Sequence, residues 1–142
     1  MHARSTEETI FCGIEIAKKL TPGSIVALFG DLGVGKTTLV KGIIHALTGV
    51  PLEEICSPTF NYLNCYEGSM NVYHFDLYRL SSVEDFLHLG FEEFFFLKGV
   101  CCIEWSERIL PLLPEHIHSL TLKHMEEGGR EIIYEVSERS LR

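Results

Sequence analysis

Apolar residues recur along this chain with two different periods. From Ser5 to Leu20, the residues Ile10, Ile14, Ala17 and Leu20 share one face of a helix. Ser5-Thr6-Glu7-Glu8 has the spacing of a capping box at its start, and Pro22-Gly23 breaks it. Ser24-Ile-Val-Ala-Leu-Phe29 is a continuous apolar run ending at Gly30, the mark of a strand buried on both faces. A second helical period starts at Lys36 and runs to about Thr48. It places Leu39, Val40, Ile43, Ile44 and Leu47 on one side, with Gly49 as its stop.

Beyond this helix the period changes to two. Between Met70 and Leu77, Tyr73, Phe75 and Leu77 fall on one face of a strand, and Val72, His74 and Asp76 on the other. Ser81 to His88 is a short helix. Gly99-Val-Cys-Cys-Ile103 is another buried strand, finishing at Glu104. After Pro111 and Pro114, two further strands, His118 to His124 and Glu131 to Val136, are joined through Gly128-Gly129. Strand and helix alternate over the first two-thirds, which predicts an α/β fold with a largely parallel central sheet; the last third predicts added antiparallel strands at an edge.

Composition narrows the class. At 142 residues the chain suits one domain, and 46% hydrophobic with 23% charged residues excludes a disordered segment. No apolar run approaches the ~20 residues of a membrane span. The N-terminal Met-His-Ala-Arg-Ser-Thr-Glu-Glu lacks the apolar core of a secretory signal, so the expected location is cytoplasmic. A formal charge of −8 argues against a direct grip on nucleic acid, although a local basic site is compatible with it. The five cysteines lack CxxC spacing, and Cys101-Cys102 read as small buried hydrophobes. His116 and His118 have strand-face spacing but no accompanying ligand cluster, which leaves zinc without support.

One motif carries chemistry. Gly30-Asp-Leu-Gly-Val-Gly-Lys36-Thr37 matches G-x-x-x-x-G-K-[ST] in full, after a buried strand and at the start of an amphipathic helix. Glycines let successive backbone N–H groups turn inward on phosphate oxygens, and the helix N-terminus adds its positive end. Lys36 is placed to neutralise the β- and γ-phosphates, and the Thr37 hydroxyl to take a position on Mg²⁺. These residues predict a P-loop NTPase-like three-layer fold, one domain over residues 1–142.

A phosphate cradle does not specify the reaction. In an open α/β sheet, ligands bind outside the carboxyl ends of the strands, where Asp76 and Glu104 both stand. Each can hold Mg²⁺ directly or through water, or orient an attacking water. Ser57-Pro58-Thr59 lies on the loop where γ-phosphate-sensing switches sit. Arg79 reads equally as a stabiliser of phosphate charge or as the partner of a surface carboxylate. Strand alternation sends Trp105 to the face opposite Glu104, into the core. An N-K-x-D guanine-recognition element is missing, which favours ATP, and the arginines do not cluster as a kinase lid requires.

Four ordered stretches resemble the TsaE (YjeE) family. They are Gly30 to Thr38, Ser57-Pro-Thr-Phe60, His74-Phe-Asp-Leu-Tyr-Arg-Leu80 and Ile103-Glu-Trp105, and the likeness runs from about Thr9 to Arg130. The resemblance implies a Mg²⁺-dependent ATPase needed to form threonylcarbamoyladenosine beside the anticodon of tRNA. It implies docking on a TsaD–TsaB heterodimer whose cycle ATP turnover resets, with tRNA approached only through that complex. Leu32, Gly33, Val34, Gly35, Lys36 and Thr37 would lie on the phosphates, beside Thr38. Thr37 and Glu104 would be magnesium ligands, with Asp76 on the metal's water shell. Thr59 would be the switch threonine and Arg130 a contact to ATP. Trp105 would then lie beside the nucleotide, and the segment near Thr6 against the adenine. Val34 and Ser106 stand where the family commonly has alanine and proline. The alternatives to an ATPase subunit are a small-metabolite kinase and a nucleotide-gated binding module that does not consume ATP.

Overall fold

The computed structural model describes residues 1–58 and 60–137. Seven strands form one sheet: β1 (His2–Ala3), β2 (Ile25–Phe29), β3 (Leu63–Tyr66), β4 (Val72–Asp76), β5 (Val100–Glu104), β6 (Ile117–His124) and β7 (Arg130–Ser137). Their order across the sheet is β1-β7-β6-β2-β5-β4-β3. The four inner strands β6, β2, β5 and β4 run parallel, while β1, β7 and β3 add antiparallel. The expected α/β fold with a largely parallel centre is therefore present.

The strand β6 differs from expectation. It does pair antiparallel with β7, but it sits inside the sheet, parallel to β2, with Leu28 opposite Leu120. Its polar residues His118 and Ser119 are buried there, so this strand is not the edge strand expected of the last third of the chain. The two-residue β1 and the four-residue β3 are too short for a period to reveal.

Helices cover both faces and complete three layers. α1 (Thr6–Ala17) and α2 (Lys36–Thr48) share one core with Val26, Leu28, Cys102 and Leu120. α3 (Val83–His88) and the 3-10 turns Phe91–Phe96 and Ser106–Leu112 close the other face over Ile25, Ala27, Phe75 and Ile103. Successive residues of β2 thus feed opposite cores, as its unbroken apolar run requires. Cys12, Cys101 and Cys102 are buried free thiols, whereas Cys56 and Cys65 are exposed. Burial pushes the thiols of Cys101 and Cys102 up, that of Cys101 to about 12. His118 bonds through Nδ1 to the Tyr134 hydroxyl at 2.7 Å, which gives it a structural partner.

The capping residue of α1 is the expected one: the Ser5 side chain accepts from the Glu8 N–H at 3.1 Å. Its buried face agrees at Ala17 and Leu20 but not at Ile10 and Ile14. Thr9, Cys12, Gly13, Ile16 and Ala17 are buried, while Ile10 and Ile14 are only partly covered. The cause is a close crossing of α1 and α2 at two glycines. A Cβ on Gly13 would stand 2.2 Å from the Leu39 carbonyl oxygen, and one on Gly42 would stand 2.2 Å from that of Ile10. This yields a signed prediction. Helix propensity alone makes Gly42→Ala stabilising by about 1 kcal/mol. The crossing makes it destabilising by at least about 2 kcal/mol, because backbone must move apart. Urea unfolding decides between them, and a midpoint that rises would contradict the crossing.

This architecture brings the carboxyl ends of β2, β4 and β5 to one rim. The turn after β2 leads from that rim into α2, which starts at Lys36 behind Gly35.

Candidate functional site

The turn from Gly30 to Gly35 holds three left-handed glycines: φ is +144° at Gly30, +78° at Gly33 and +112° at Gly35. At Gly30 the geometry demands glycine twice over, since a Cβ would also come within 2.7 Å of the Leu122 carbonyl oxygen. The loop therefore presents backbone to its concave side, as a phosphate cradle requires. Lys36 folds back beneath it. Its ammonium donates to the Gly30 carbonyl and, at 3.4 Å, to that of Asp31. Burial lowers the Lys36 pKa, against the opposing charges of Glu104, Glu107, Asp76 and Asp31.

At the rim, Asp76 and Glu104 end β4 and β5 as direct register partners. Glu104 is 2% exposed, and both its oxygens accept from the Thr37 hydroxyl at 2.9 Å. Ser57 donates to the same hydroxyl oxygen at 3.3 Å. Asp76 accepts from the Tyr78 N–H at 3.1 Å. Sequence positions 36, 37, 57, 76 and 104 thus line one cavity of about 330 Å³, with Leu32, Gly33, Gly35 and Thr38. Hard oxygen donors from Thr37 and Glu104, side by side, suit magnesium, which commonly takes one or two protein oxygens and completes its shell with phosphate and water. Among the described residues no group of three or more His, Cys, Asp or Glu could hold a metal, so such an ion would depend on those outside oxygens.

Burial raises the Asp76 pKa, and the charge of Glu104 raises it further, while the Tyr78 N–H, His74 and Lys36 oppose this. The ionised form is thus disfavoured in the folded chain. Stability from this group is full below its unfolded pKa and is lost as pH rises through the raised folded value. Asp76→Asn is accordingly expected to raise Tm at pH 7, with the gain shrinking as pH falls into the carboxylate range. A thermal melt at pH 7 with no gain would contradict the burial argument.

Trp105 departs from the strand alternation. It adopts φ +60°, ψ +43°, so the backbone turns immediately after Glu104, and the half-buried ring packs against the core over Ile103 while also reaching the rim. Lys36 Nζ lies 3.7 Å from its ring centre, and Tyr78 packs against it at 5.0 Å. Trp105 thus lines the same cavity as Lys36, Thr37 and Glu104. Arg79 is exposed and lines a smaller hollow of about 220 Å³ with Pro58, Phe60, Asp76 and Tyr78. Thr59 lies outside the described residues.

A second cavity, about 390 Å³, shares Gly33, Gly35 and Thr38 with the first. Its other walls come from Ala3, Arg4, Ser5, Thr6, Thr9, Val34, Gly129 and Arg130. Arg130 donates through Nε to the Val34 carbonyl at 2.7 Å, tying the β6–β7 turn to the cradle. Two spaces of similar volume thus adjoin along the loop. The N-terminal wall was legible only near Thr6. The fuller contribution of Ala3 to Ser5 depends on β1 pairing with β7, which no local pattern signals. His74 is the other residue that sequence reading passed over. It is fully buried, and its Nε2 donates to Glu104 Oε2 at 2.6 Å.

Residues 3–132 match the family described as "Threonylcarbamoyl adenosine biosynthesis protein TsaE". A tRNA threonylcarbamoyladenosine biosynthesis protein TsaE of Treponema pallidum is 44% identical over 130 residues, spanning 92% of this chain and 95% of the relative. The Nostoc sp. protein of the same name is 42% identical over 129 residues, 88% of this chain and 78% of its own. The crystal structure of Bacillus subtilis YdiB is similar with a TM-score of 0.77 at 30% identity, covering 96% of this chain and 83% of that one.

Proposed function

The chain belongs to the TsaE family of threonylcarbamoyl adenosine biosynthesis proteins, and on that premise we propose that it is the P-loop ATPase of the machinery that makes this tRNA nucleoside. The observation that carries the reading is the convergence of Thr37 and Glu104, at 2.9 Å, beside a glycine cradle with Lys36 beneath it. A phosphate-binding loop alone serves many reactions; a buried carboxylate against its hydroxyl suits hydrolysis of Mg-ATP.

ATP enters with its phosphates along Leu32 to Thr38 and its nucleoside toward Thr6, Thr9 and Arg130. Lys36 exchanges the Gly30 carbonyl for phosphate oxygens, a change from neutral to anionic acceptors that strengthens its hydrogen bonds. Thr37 and Glu104 would hold magnesium, with Asp76 close enough to act through its water. When bound, that ion neutralises charge on the β- and γ-phosphates. Glu104 and Asp76, both on the rim, orient the attacking water, and Thr59 reports the γ-phosphate to the partner.

The partner is a TsaD–TsaB heterodimer, which modifies the adenosine beside the anticodon and is reset by each ATP turnover. A chain of net charge −8 suits a basic face on that partner and meets tRNA only through the complex. The ATPase works in the cytoplasm as a single domain; among the described residues no helix is long and apolar enough to cross a membrane.

The test is reconstitution of tRNA modification with purified TsaD–TsaB, with and without this chain. Repeated rounds are expected only with the chain and hydrolysable ATP, and a single round with a non-hydrolysable analogue. Repeated rounds with the analogue would instead make the chain a nucleotide-gated module. Transfer of phosphate to a small acceptor would make it a kinase.

A further inference from the structure

We propose that His74 is a positioning residue for Glu104: it holds one carboxylate oxygen from the core side and so fixes the rotation of the group that meets Thr37 and the metal–phosphate cavity. This rests on reading that cavity as the Mg-nucleotide site. His74 lies on β4 opposite Cys102 of β5, and Glu104 is two residues further along the same face of β5. On this face of the sheet, Val72 before it on β4 and Cys102 opposite it on β5 belong to the apolar core under α1 and α2, while Asp76 follows it on β4 and Asn64 is its register partner on β3. An aliphatic residue is the ordinary occupant of such a position.

The histidine is nonetheless fully buried, and among the described residues its Nδ1 has no hydrogen-bond partner. An orphaned ring nitrogen in a core is unfavourable, so a packing role alone does not account for the residue. Its other nitrogen does. Nε2 lies 2.6 Å from Glu104 Oε2, and because a carboxylate only accepts, the ring hydrogen sits on Nε2. Thr37 reaches both carboxylate oxygens at 2.9 Å, so without His74 the group could rotate about its last bond and offer either oxygen. With Oε2 held by both His74 and Thr37, Oε1 is the oxygen that accepts from Thr37 alone. A hydrogen bond behind a metal-ligating carboxylate fixes the ligand's direction and the site's affinity in the same way.

The test compares His74→Phe, which keeps a ring but removes the donor, with His74→Gln, whose amide N–H can still reach Oε2. The readout is the magnesium concentration that half-saturates ATP binding, followed by Trp105 fluorescence, alongside kcat and KM for ATP. His74→Phe is expected to raise the half-saturating magnesium and to lower kcat, each by about tenfold or more, with ATP binding in EDTA unchanged. His74→Gln is expected to recover most of both. If the phenylalanine variant does not fold, His74→Asn replaces it, since its shorter amide cannot reach Glu104. Wild-type magnesium dependence in the donor-less variant overturns the proposal. So does equal loss in both variants with a matching fall in Tm, which marks a packing residue. A wild-type chain that binds Mg-ATP without hydrolysing it overturns the ATPase reading alone, because the magnesium comparison still decides the role of His74. A wild-type chain that binds no Mg-ATP overturns both.

Discussion

Replacing Glu104 by glutamine is expected to lower ATP turnover by about 10²- to 10⁴-fold while sparing the fold and most of the affinity for ATP. The carboxylate stands against Thr37 at 2.9 Å and is 2% exposed, so its negative charge is directed at one place. Glutamine keeps an acceptor oxygen for the His74 N–H and nearly the same volume, yet it loses the charge that would hold a cation and draw a proton from water. Alanine is a less clean substitution. It also strands the buried Nε2–H of His74, which costs about 1–3 kcal/mol of stability on top of the lost chemistry. A steady-state ATPase assay with a urea melt beside it separates the two effects. Turnover within threefold of wild type in the glutamine variant would remove Glu104 from the chemistry.

The second large effect falls on binding. Lys36→Ala is expected to weaken ATP by about 10- to 100-fold, the value of a charge-assisted hydrogen bond of about 1.5–3 kcal/mol. The ammonium now bonds loop carbonyls and lies over the face of Trp105 at 3.7 Å, so it is already preorganised beneath the cradle. Trp105 is the chain's only tryptophan, and its fluorescence reports both the loss of that cation and the arrival of nucleotide. An alanine variant that titrates with wild-type affinity would place the phosphates elsewhere.

What the sequence made legible was local. The loop from Gly30 to Thr37 declared itself because each residue type answers a backbone or charge requirement of phosphate binding at a fixed offset. The helix behind it followed from Leu39, Val40, Ile43 and Ile44, and its stop from Gly49, which caps it at φ +81°. Asp76 and Glu104 were found as the last residues of two buried strands, and the structure sets them side by side.

What escaped was set by contacts distant in sequence. The interior place of β6 depends on β2, nearly a hundred residues away, and nothing in residues 118–124 themselves signals that pairing. The buried face of α1 turned toward Gly13 because Gly42 lies against it; two mid-helix glycines were the available signal, and each alone reads only as a weak helix position. Alternation sent Trp105 into the core, but one left-handed residue lets its ring both pack there and line the cavity. His74 was visible as a member of a strand face, but its importance comes from Glu104, thirty residues on.

The most direct test of the proposed ATPase activity is phosphate release from Mg-ATP by the purified chain, alone and with TsaD–TsaB, with the Glu104→Gln variant in parallel. Release that rises when the heterodimer is added and disappears in the variant is the expected result. Tight ATP binding with no phosphate released in any mixture, or release that the variant retains, would mean that the Lys36–Glu104 site does not hydrolyse ATP.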